Sequence, residues 1–320
     1  MNSFRGKVNR LGWPLVVAVA VAMTVGLASP GQLHAQALGW EGETGAFVTP
    51  LAYTASSEAQ KIHPVVAYHY FNAGPVIGEF HEASIEVGLG NRLELGYTHQ
   101  FHVSGENNQL SPLWPNGFEI FNGKVNLLPE NYKGMSWFPA ISTGFILRTN
   151  VRNVGNYMTE VHSAGKNGKA DGDIYMVGSK TIPVKNAGPF AAFILSGGVR
   201  GTNAELWGLG GNAPDWQARG FATVGFAFKG PRKSTIVLAS EAAQQPHHPY
   251  YYDGSVRGVP ALSIPTTLTY AVRVAVPTRI ATLNFDFGIG QFAGKVSGSG
   301  PDAIDVKARH QVGAQISWSC

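Results

Sequence analysis

The chain has 320 residues and a formal net charge of +4, from 24 lysines and arginines against 20 aspartates and glutamates. Three of these bases, Arg5, Lys7 and Arg10, lie in the first ten residues, so residues 36–320 keep 21 bases against the same 20 acids, a net charge of +1. This balance, without any basic run, excludes the clustered positive charge that nucleic-acid binding requires. The 40 glycines follow no Gly-X-Y period, which excludes collagen, and the 44% hydrophobic content argues against disorder.

An export signal peptide is predicted for residues 1–35. The N-terminal bases precede an apolar run of 13 residues, Leu15 to Leu27, whereas a helix that spans a bilayer needs about 20. Small residues around Ala35 predict cleavage near that position, and a short membrane anchor is the alternative reading. The single cysteine, Cys320, permits no internal disulfide and lies too far from the leader to carry a lipid anchor.

Residues 36–62 precede the regular strands and contain one β-like stretch, 47–54. We expect them to form a periplasmic extension or a lumen plug, and residues 63–320 to form a barrel. A strand at 47–54 would begin on the wrong side of the membrane, because the strands that follow are already even in number. If this stretch nevertheless pairs into the wall, a further strand has been missed and the strand count becomes 14.

Period-2 alternation of apolar and polar residues recurs through the rest of the chain, and no helical periodicity of comparable length follows the leader. In one example, Leu283, Phe285 and Phe287 alternate with Asn284 and Asp286. Twelve strands are predicted in this way, at 64–71, 80–89, 92–101, 119–128, 138–148, 172–180, 188–202, 217–228, 233–243, 267–276, 282–290 and 304–318.

The connections between these strands alternate in length from residue 90 onward. The short ones are 90–91, 129–137, 181–187, 229–233 and 277–279, and the long polar ones are 102–118, 149–171, 203–216, 244–265 and 293–302. A sandwich has no reason to place its long loops on alternate connections, whereas a membrane-spanning meander has short periplasmic turns and long external loops. The pattern therefore predicts an all-β, closed, antiparallel up-and-down transmembrane β-barrel of about 12 strands, the first of which runs outward.

Charged residues of both signs lie in mid-strand on the polar faces: Glu86, Glu94, Lys124, Arg273, Asp286, Lys307 and Arg309. A charge that faces hydrocarbon costs about 2–4 kcal/mol at the bilayer midplane, so these residues are predicted to line the lumen or pore. Their mixed signs favour a network of ion pairs and a narrow or gated passage. Aromatic residues near strand ends are predicted to lie at the membrane interface: Trp137, Phe138, Tyr175, Phe221, Phe228, Tyr270, Phe292 and Trp318.

Two loops carry groups that could bind a ligand. The connection after residue 243 holds the loop-recognition candidates His247, His248, Tyr250, Tyr251, Tyr252 and Asp253. Its adjacent histidines lack the spacing that directs two rings at one metal ion, so recognition of a surface partner is favoured over metal binding. Asn167, Asp171 and Asp173 are oxygen-rich, but an ordinary turn is favoured over a calcium loop because the downstream glutamate of such a loop is missing.

The stretch from Ile85 to Tyr97, IEVGLGNRLELGY, resembles the recurring G-L-x-(D/N)-R-x-E-L-G turn of bacterial outer-membrane β-barrels. These include, as a weaker resemblance, barrels associated with phenol-degradation pathways. The stretch from Gly39 to Pro50, GWEGETGAFVTP, resembles an uncharacterised bacterial family of exported proteins, known as a domain of unknown function. The last strand is similar to the signal read by the outer-membrane assembly machinery, except that Ser319 and Cys320 follow Trp318. The resemblances imply a Gram-negative outer-membrane location and specify no activity.

The function that the sequence favours is a passive or gated pore for small molecules. A non-conducting barrel with a structural or surface-recognition role is one alternative, and a lipid-acting outer-membrane enzyme is another. The enzyme is disfavoured because no G-x-S-x-G motif is present and because His69, His81, His99 and His102 are spread over early strands. Expected partners are outer-membrane lipid, the assembly machinery and a small-molecule solute, with no catalytic residue, cofactor, metal or nucleic acid.

Overall fold

The computed structural model describes residues 37–57, 59, 61–72, 78–104, 117–151, 170–209, 212–246, 266–293 and 311–319. The predicted signal peptide and its cleavage site therefore lie outside the described residues, and both stay predictions. No helix in the described part of the chain is long and apolar enough to cross a membrane.

Strands dominate the described chain, because apolar and polar residues alternate with the period of extended backbone. They are β1 (Ile62–Asn72), β2 (Gly78–Leu89), β3 (Leu93–Ser104), β4 (Phe118–Leu128), β5 (Ala140–Thr149), β6 (Ala170–Pro183), β7 (Phe190–Ala204), β8 (Asn212–Lys229), β9 (Thr235–Gln244), β10 (Thr266–Pro277), β11 (Thr282–Ala293) and β12 (Gln311–Ser319). Three single 3-10 turns, Tyr132–Gly134, Glu205–Gly208 and Pro231–Lys233, lie in the connections. The all-β class is confirmed.

Each strand pairs antiparallel with the next one in sequence, which confirms the up-and-down arrangement. Strands β1 to β11 form one continuous curled sheet, and β12 pairs with both β11 and β1, so the order of pairing returns to its starting strand. The register places the predicted charges opposite one another. Glu94 is the partner of Lys124 across β3 and β4, and Arg273 is the partner of Asp286 across β10 and β11.

The wall has an apolar outer face and a polar inner face. In β2, the Glu86 side chain is fully buried, whereas its neighbour Ile85 is 47% exposed. The same contrast separates Glu94 from Leu95 in β3 and Asp286 from Phe287 in β11. A one-residue slip of any strand would exchange these two sets, so the pattern fixes both the register and the direction in which each charge points.

The two ends of the curled sheet differ in the length of most of their connections. At one end, which we call the short-turn end, residues 90–92, 129–139, 184–189, 230–234 and 278–281 join the strands. At the other, the long-loop end, the strands are joined by residues 73–77, 105–117, 150–169, 205–211, 245–265 and 294–310. Most residues of these longer connections lie outside the described part of the chain.

Residues 37–57 form no strand of the wall. Only two isolated bridges occur there, between Leu38 and Thr44 and between Gly45 and Pro50. The β-like stretch 47–54 is therefore not a wall strand, and the described residues give no support for a count of 14.

The aromatic residues predicted for the membrane interface do not all point outward. Tyr270 is exposed on the outer face of β10 and Trp137 is exposed in the turn between β4 and β5, and their place at a membrane interface stays a prediction. Tyr175 and Phe221, in contrast, are buried and point into the lumen, so their prediction was wrong. The face on which a residue lies is set by the alternation along its strand. Tyr175 shares the inner face of β6 with Asp173 and Val177, and its position near a strand end does not reveal that face.

Candidate functional site

The candidate site is the lumen, through which residues 37–57 pass. We call these residues the N-terminal segment. Almost all of them are buried, and their polar groups bond to side chains of β3, β4, β5, β6, β8, β9 and β10. These strands are spread around the curled sheet and face one another across its interior. The segment therefore crosses the space that the sheet encloses.

The first set of contacts is centred on the ion pair between Lys124 and Glu94, whose Nζ and Oε1 atoms are 2.6 Å apart with no exposure of either side chain. Glu94 accepts hydrogen bonds from the Thr44 N–H at 3.1 Å, the Thr44 hydroxyl at 2.7 Å and the Ala55 N–H at 2.7 Å. Lys124 donates to the carbonyl oxygens of Thr44 at 2.7 Å and Tyr53 at 3.0 Å. This one ion pair of the wall therefore holds the N-terminal segment at two places, at Thr44 and at Tyr53 and Ala55.

The second set surrounds Arg148, which is fully buried at the long-loop end of β5. Its guanidinium donates to Asp171 at 3.0 Å and to Asp173 at 2.8 Å on the neighbouring β6, and it also pairs with Glu41 of the N-terminal segment. Burial raises the pKa of Glu41 from 4.5 to about 7, although the Arg148 charge opposes the shift. Glu41 therefore exchanges its proton near neutral pH.

The third set binds the middle of the N-terminal segment to β9. The Glu241 carboxylate accepts three successive backbone N–H groups, those of Phe47 and Val48 at 3.1 Å and of Thr49 at 2.9 Å. It also accepts the Thr49 hydroxyl at 2.7 Å, and that hydroxyl lies 2.6 Å from the hydroxyl of Thr223 in β8. Successive N–H groups that converge in this way form an anion-binding nest, here filled by a wall side chain.

The fourth set lies between β10 and β11. Arg273 forms a bidentate ion pair with Asp286, in which its Nε and Nη2 donate at 2.9 Å and 2.7 Å to different carboxylate oxygens. The same guanidinium donates to the carbonyl oxygens of Gly45 at 3.0 Å and Ala46 at 2.7 Å. Arginine suits this position because its fork of donors can bind a carboxylate and two carbonyls at once.

Neutral groups hold the segment near the short-turn end. The Ala52 carbonyl accepts from Ser142 at 2.6 Å and from Asn126 at 2.9 Å, and the Ala52 N–H donates to Ser179 at 2.8 Å. The Tyr53 hydroxyl donates to Glu130 at 3.0 Å. Burial raises the pKa of Tyr53 above its ordinary value, so the phenol stays a neutral donor.

Several acidic side chains in the lumen have no ion-pair partner among the described residues. They are Glu43, Glu82 and Glu86, and all three are buried. Burial and the nearby Glu41 charge raise the pKa of Glu43 well above its ordinary range. Near β2 to β6, acidic side chains therefore outnumber the bases Lys124 and Arg148. Protonation of these acids should change how strongly the wall holds the N-terminal segment.

Among the described residues, at least three cavities lie beside the N-terminal segment. One of about 390 Å³ opens at the short-turn end and is lined by polar residues that include Tyr53, Asn126 and Glu130. Two much smaller and mainly apolar ones, of about 30 and 40 Å³, lie deeper between the segment and β7 to β11. A single water molecule needs a cavity of about 10–15 Å³, so each inner cavity has room for only a few waters.

Five of the seven predicted lumen residues, Glu86, Glu94, Lys124, Arg273 and Asp286, have buried side chains on the inner face. The other two, Lys307 and Arg309, lie outside the described residues. So do the loop candidates His247, His248, Tyr250, Tyr251, Tyr252 and Asp253, whose proposed roles stay predictions. Whether any of these residues lines an open pore is likewise a prediction.

Sequence reasoning missed several residues that hold the lumen together. Glu241 is a single charge inside an alternating strand, and the mid-strand criterion could have found it, whereas Arg148 is the last residue of the predicted strand 138–148, where that criterion does not apply. Asp171 was predicted to lie in a loop and Asp173 in the strand 172–180, and both were weighed as part of an oxygen-rich turn with calcium as the lesser alternative. The strand prediction for Asp173 is confirmed, whereas the turn and the calcium loop are wrong, because both aspartates lie in β6 and bind Arg148.

The four histidines weighed for catalysis are not brought together. His69 and His102 are on the inner face, where they pack against Trp40 and Phe80. His81 and His99 are on the outer face, where they bond to the Tyr68 hydroxyl and to Glu119 respectively. Because the wall separates the two pairs, they cannot serve one active site.

No known family model and no curated protein sequence matches this chain. Among solved structures, it is similar to an outer membrane channel from Pseudomonas putida F1, with 12% identity, 92% of this chain and 100% of that chain covered, and a TM-score of 0.44. It is also similar to the NanC porin, with 8% identity, 81% of this chain and 98% of that chain covered, and a TM-score of 0.41. A third similar structure is a Pseudomonas aeruginosa FadL homologue, with 10% identity, 92% of this chain and 99% of that chain covered, and a TM-score of 0.37. The resemblances to the uncharacterised exported family and to phenol-associated barrels stay predictions.

Proposed function

We propose that the chain is a closed, 12-stranded outer-membrane β-barrel and a gated pore for small molecules, with the N-terminal segment as its lumen plug. The pairing of β12 with both β11 and β1 supports closure. Large apolar side chains on the outer face support a lipid environment, among them Ile85, Leu95, Phe145, Ile174, Val199 and Phe287. An apolar band of this extent is typical of transmembrane barrels and unusual on a soluble protein.

The two unequal ends favour one orientation, with short turns in the periplasm and long loops outside. Removal of the leader near Ala35 would start the mature chain immediately before the buried Ala37. The segment is then attached covalently only where it continues into β1 at Ile62. A plug with one free end can leave the lumen without breaking the wall.

The observation that carries the proposal is the chemistry of the contacts between segment and wall. Hydrogen bonds to the wall residues Glu94, Lys124, Glu241 and Arg273 hold the segment. Water can replace such polar contacts, because the freed groups are solvated when the lumen fills. A segment held by apolar packing alone could not exchange its contacts for hydrogen bonds to water in this way.

A reversible cross-link tests the gate. The Thr49 and Thr223 hydroxyl oxygens lie 2.6 Å apart, close to the roughly 2.05 Å between disulfide sulfurs, so Thr49→Cys with Thr223→Cys can tie the segment to β8. In a Cys320→Ser background, we expect low conductance in planar bilayers when the pair is oxidised and a clear increase after reduction. Folding is checked by circular dichroism and by heat-dependent migration on gels.

The matched control is Ser84→Cys with Thr98→Cys, a pair whose hydroxyls lie 2.8 Å apart and whose disulfide joins two wall strands. Thr98 also donates to the Glu41 carbonyl at 3.4 Å, so conductance is compared between the two redox states of the same variant. Its reduction should leave conductance unchanged. If the folded Thr49–Thr223 variant stays sealed in both redox states and deletion of residues 37–57 also leaves a folded barrel sealed, the pore proposal is wrong. That result would favour the non-conducting barrel with a surface role, for which the closely filled lumen is the supporting observation.

A further inference from the structure

An apolar cavity of about 30 Å³ lies at the long-loop end of the lumen. Aromatic rings from three parts of the chain surround it: Trp40 and Phe47 of the N-terminal segment, Phe71 near the end of β1, and Trp207 from the connection between β7 and β8. Trp40 meets Phe71 edge to face, with the ring centres 5.4 Å apart. None of the described residues that line this aromatic cavity carries a charge.

Two hydrogen-bond donors at this cavity are unused. The indole N–H groups of Trp40 and Trp207 have no partner among the described residues, although the two residues are only 3% and 9% exposed. A buried donor without an acceptor costs about 1–3 kcal/mol. Both indoles belong to residues that line the same cavity, and a bound acceptor that meets either N–H would compensate this cost.

The backbone that carries Trp207 is strained. Leu206 and Trp207 are consecutive non-glycine residues in the left-handed region, with φ of 48° and 56°. Each such residue costs on the order of 1–3 kcal/mol and persists only where surrounding contacts impose it. Here the Gln245 side chain accepts the Leu206 N–H at 2.9 Å, and the Leu206 carbonyl accepts the Leu209 N–H at 3.1 Å. These contacts hold the strained turn, which places Trp207 in the lining of the cavity.

Phe47 separates the aromatic cavity from the second inner cavity of about 40 Å³, because it lines both. Its ring lies against the wall at Gly288, where a Cβ atom would come within 2.9 Å of the ring. Displacement of this one side chain would join the two cavities. The Phe47 backbone is held separately by Glu241, so the side chain can move while its main chain stays in place.

We propose that the aromatic cavity binds a compact, neutral aromatic molecule that carries one hydrogen-bond acceptor oxygen. The ligand displaces the Phe47 ring, packs among Trp40, Phe71 and Trp207, and accepts an indole N–H. The lining excludes ions, because it offers no counter-charge, and excludes sugars, because it offers too few partners for several hydroxyl groups. This site is distinct from the polar cavity at the short-turn end and does not depend on conduction.

Fluorine NMR of the folded protein with 5-fluorotryptophan tests the site. The probes are acetophenone, which has a ring and an acceptor, ethylbenzene, which has the same ring without one, and glucose. Resonances are assigned with Trp40→Phe and Trp207→Phe. We expect acetophenone to shift the Trp40 and Trp207 signals saturably, ethylbenzene to bind at least tenfold more weakly, and glucose to shift neither.

Phe47→Ala should bind acetophenone severalfold more tightly, because no side chain has to be displaced. The matched control, Phe145→Ala, removes an outward-facing ring and should change nothing. Equal binding of ethylbenzene, shifts of all tryptophan signals alike, or the absence of a saturable shift would each overturn the proposal. Binding is read directly, so a barrel that fails to conduct can still bind acetophenone, and a conducting barrel can still fail to do so.

Discussion

Removal of the Lys124 charge is the most direct perturbation of the N-terminal segment. In Lys124→Met, the Glu94 carboxylate stays fully buried but loses its ion pair, and two segment carbonyls lose their donor. Breaking a buried pair on one side costs about 3–5 kcal/mol, since an uncompensated charge remains. If most of this cost falls on the docked state, the equilibrium between docked and released segment shifts by about two to nearly four powers of ten, at about 1.36 kcal/mol per factor of ten.

A single cysteine in the segment measures that equilibrium. Ala46 lines the inner cavity of about 40 Å³, so Ala46→Cys has room for its sulfur, and a water-soluble maleimide reaches it only when the segment is released. In a Cys320→Ser background, we expect Lys124→Met to accelerate labelling by at least a hundredfold. Lys229→Cys, at an exposed position of the short-turn end, should label at the same rate with and without Lys124→Met.

Two further variants decide whether the charge is responsible. Lys124→Met with Glu94→Gln removes both charges, so labelling should slow again relative to Lys124→Met alone. Thr44→Val removes a donor to Glu94 without altering the wall and should accelerate labelling by at least tenfold, because a hydrogen bond to a charged group contributes about 1.5–3 kcal/mol. Unchanged labelling in both Lys124→Met and Thr44→Val, with folding intact, would refute the reasoning.

Docking of the segment should also weaken with rising pH, because burial raises the pKa of Glu41 from 4.5 to about 7. The released segment binds fewer protons between these values, so docking is strongest below pH 4.5 and loses up to about 3 kcal/mol by pH 7. Ala46→Cys labelling, corrected for thiolate content, should therefore rise from pH 5 to pH 7, and a flat or falling profile would contradict this. Arg148→Met should lower stability in urea by about 3–5 kcal/mol, since Asp171 stays buried without its base and Asp173 keeps only the longer contact with Arg200 at 3.7 Å. Arg148→Met with Asp171→Asn and Asp173→Asn should recover much of the loss. Equal stability of the triple variant and Arg148→Met would show that packing, not charge, accounts for the loss.

The wall is predictable from local pattern, whereas the lumen is not. Strand positions and the inward direction of Glu86, Glu94 and Asp286 follow from period-2 alternation alone. The conformation of the N-terminal segment depends instead on contacts such as that of Thr49 with Glu241, 192 residues away in sequence. No periodic signal marks such a segment, because its backbone groups bond to side chains of the wall rather than to a neighbouring strand.

The contacts of the segment imply two separable motions. Glu94 binds Thr44 and Ala55, so residues between these two form a loop with both ends tied to one wall carboxylate. Release of the whole loop requires that pair of anchors to break, whereas the Phe47 ring can move while every anchor persists. Ligand entry into the aromatic cavity and opening of the lumen therefore have different energetic controls. Substitutions of Phe47 and Lys124 should act independently, the first on binding of acetophenone and the second on release of the segment.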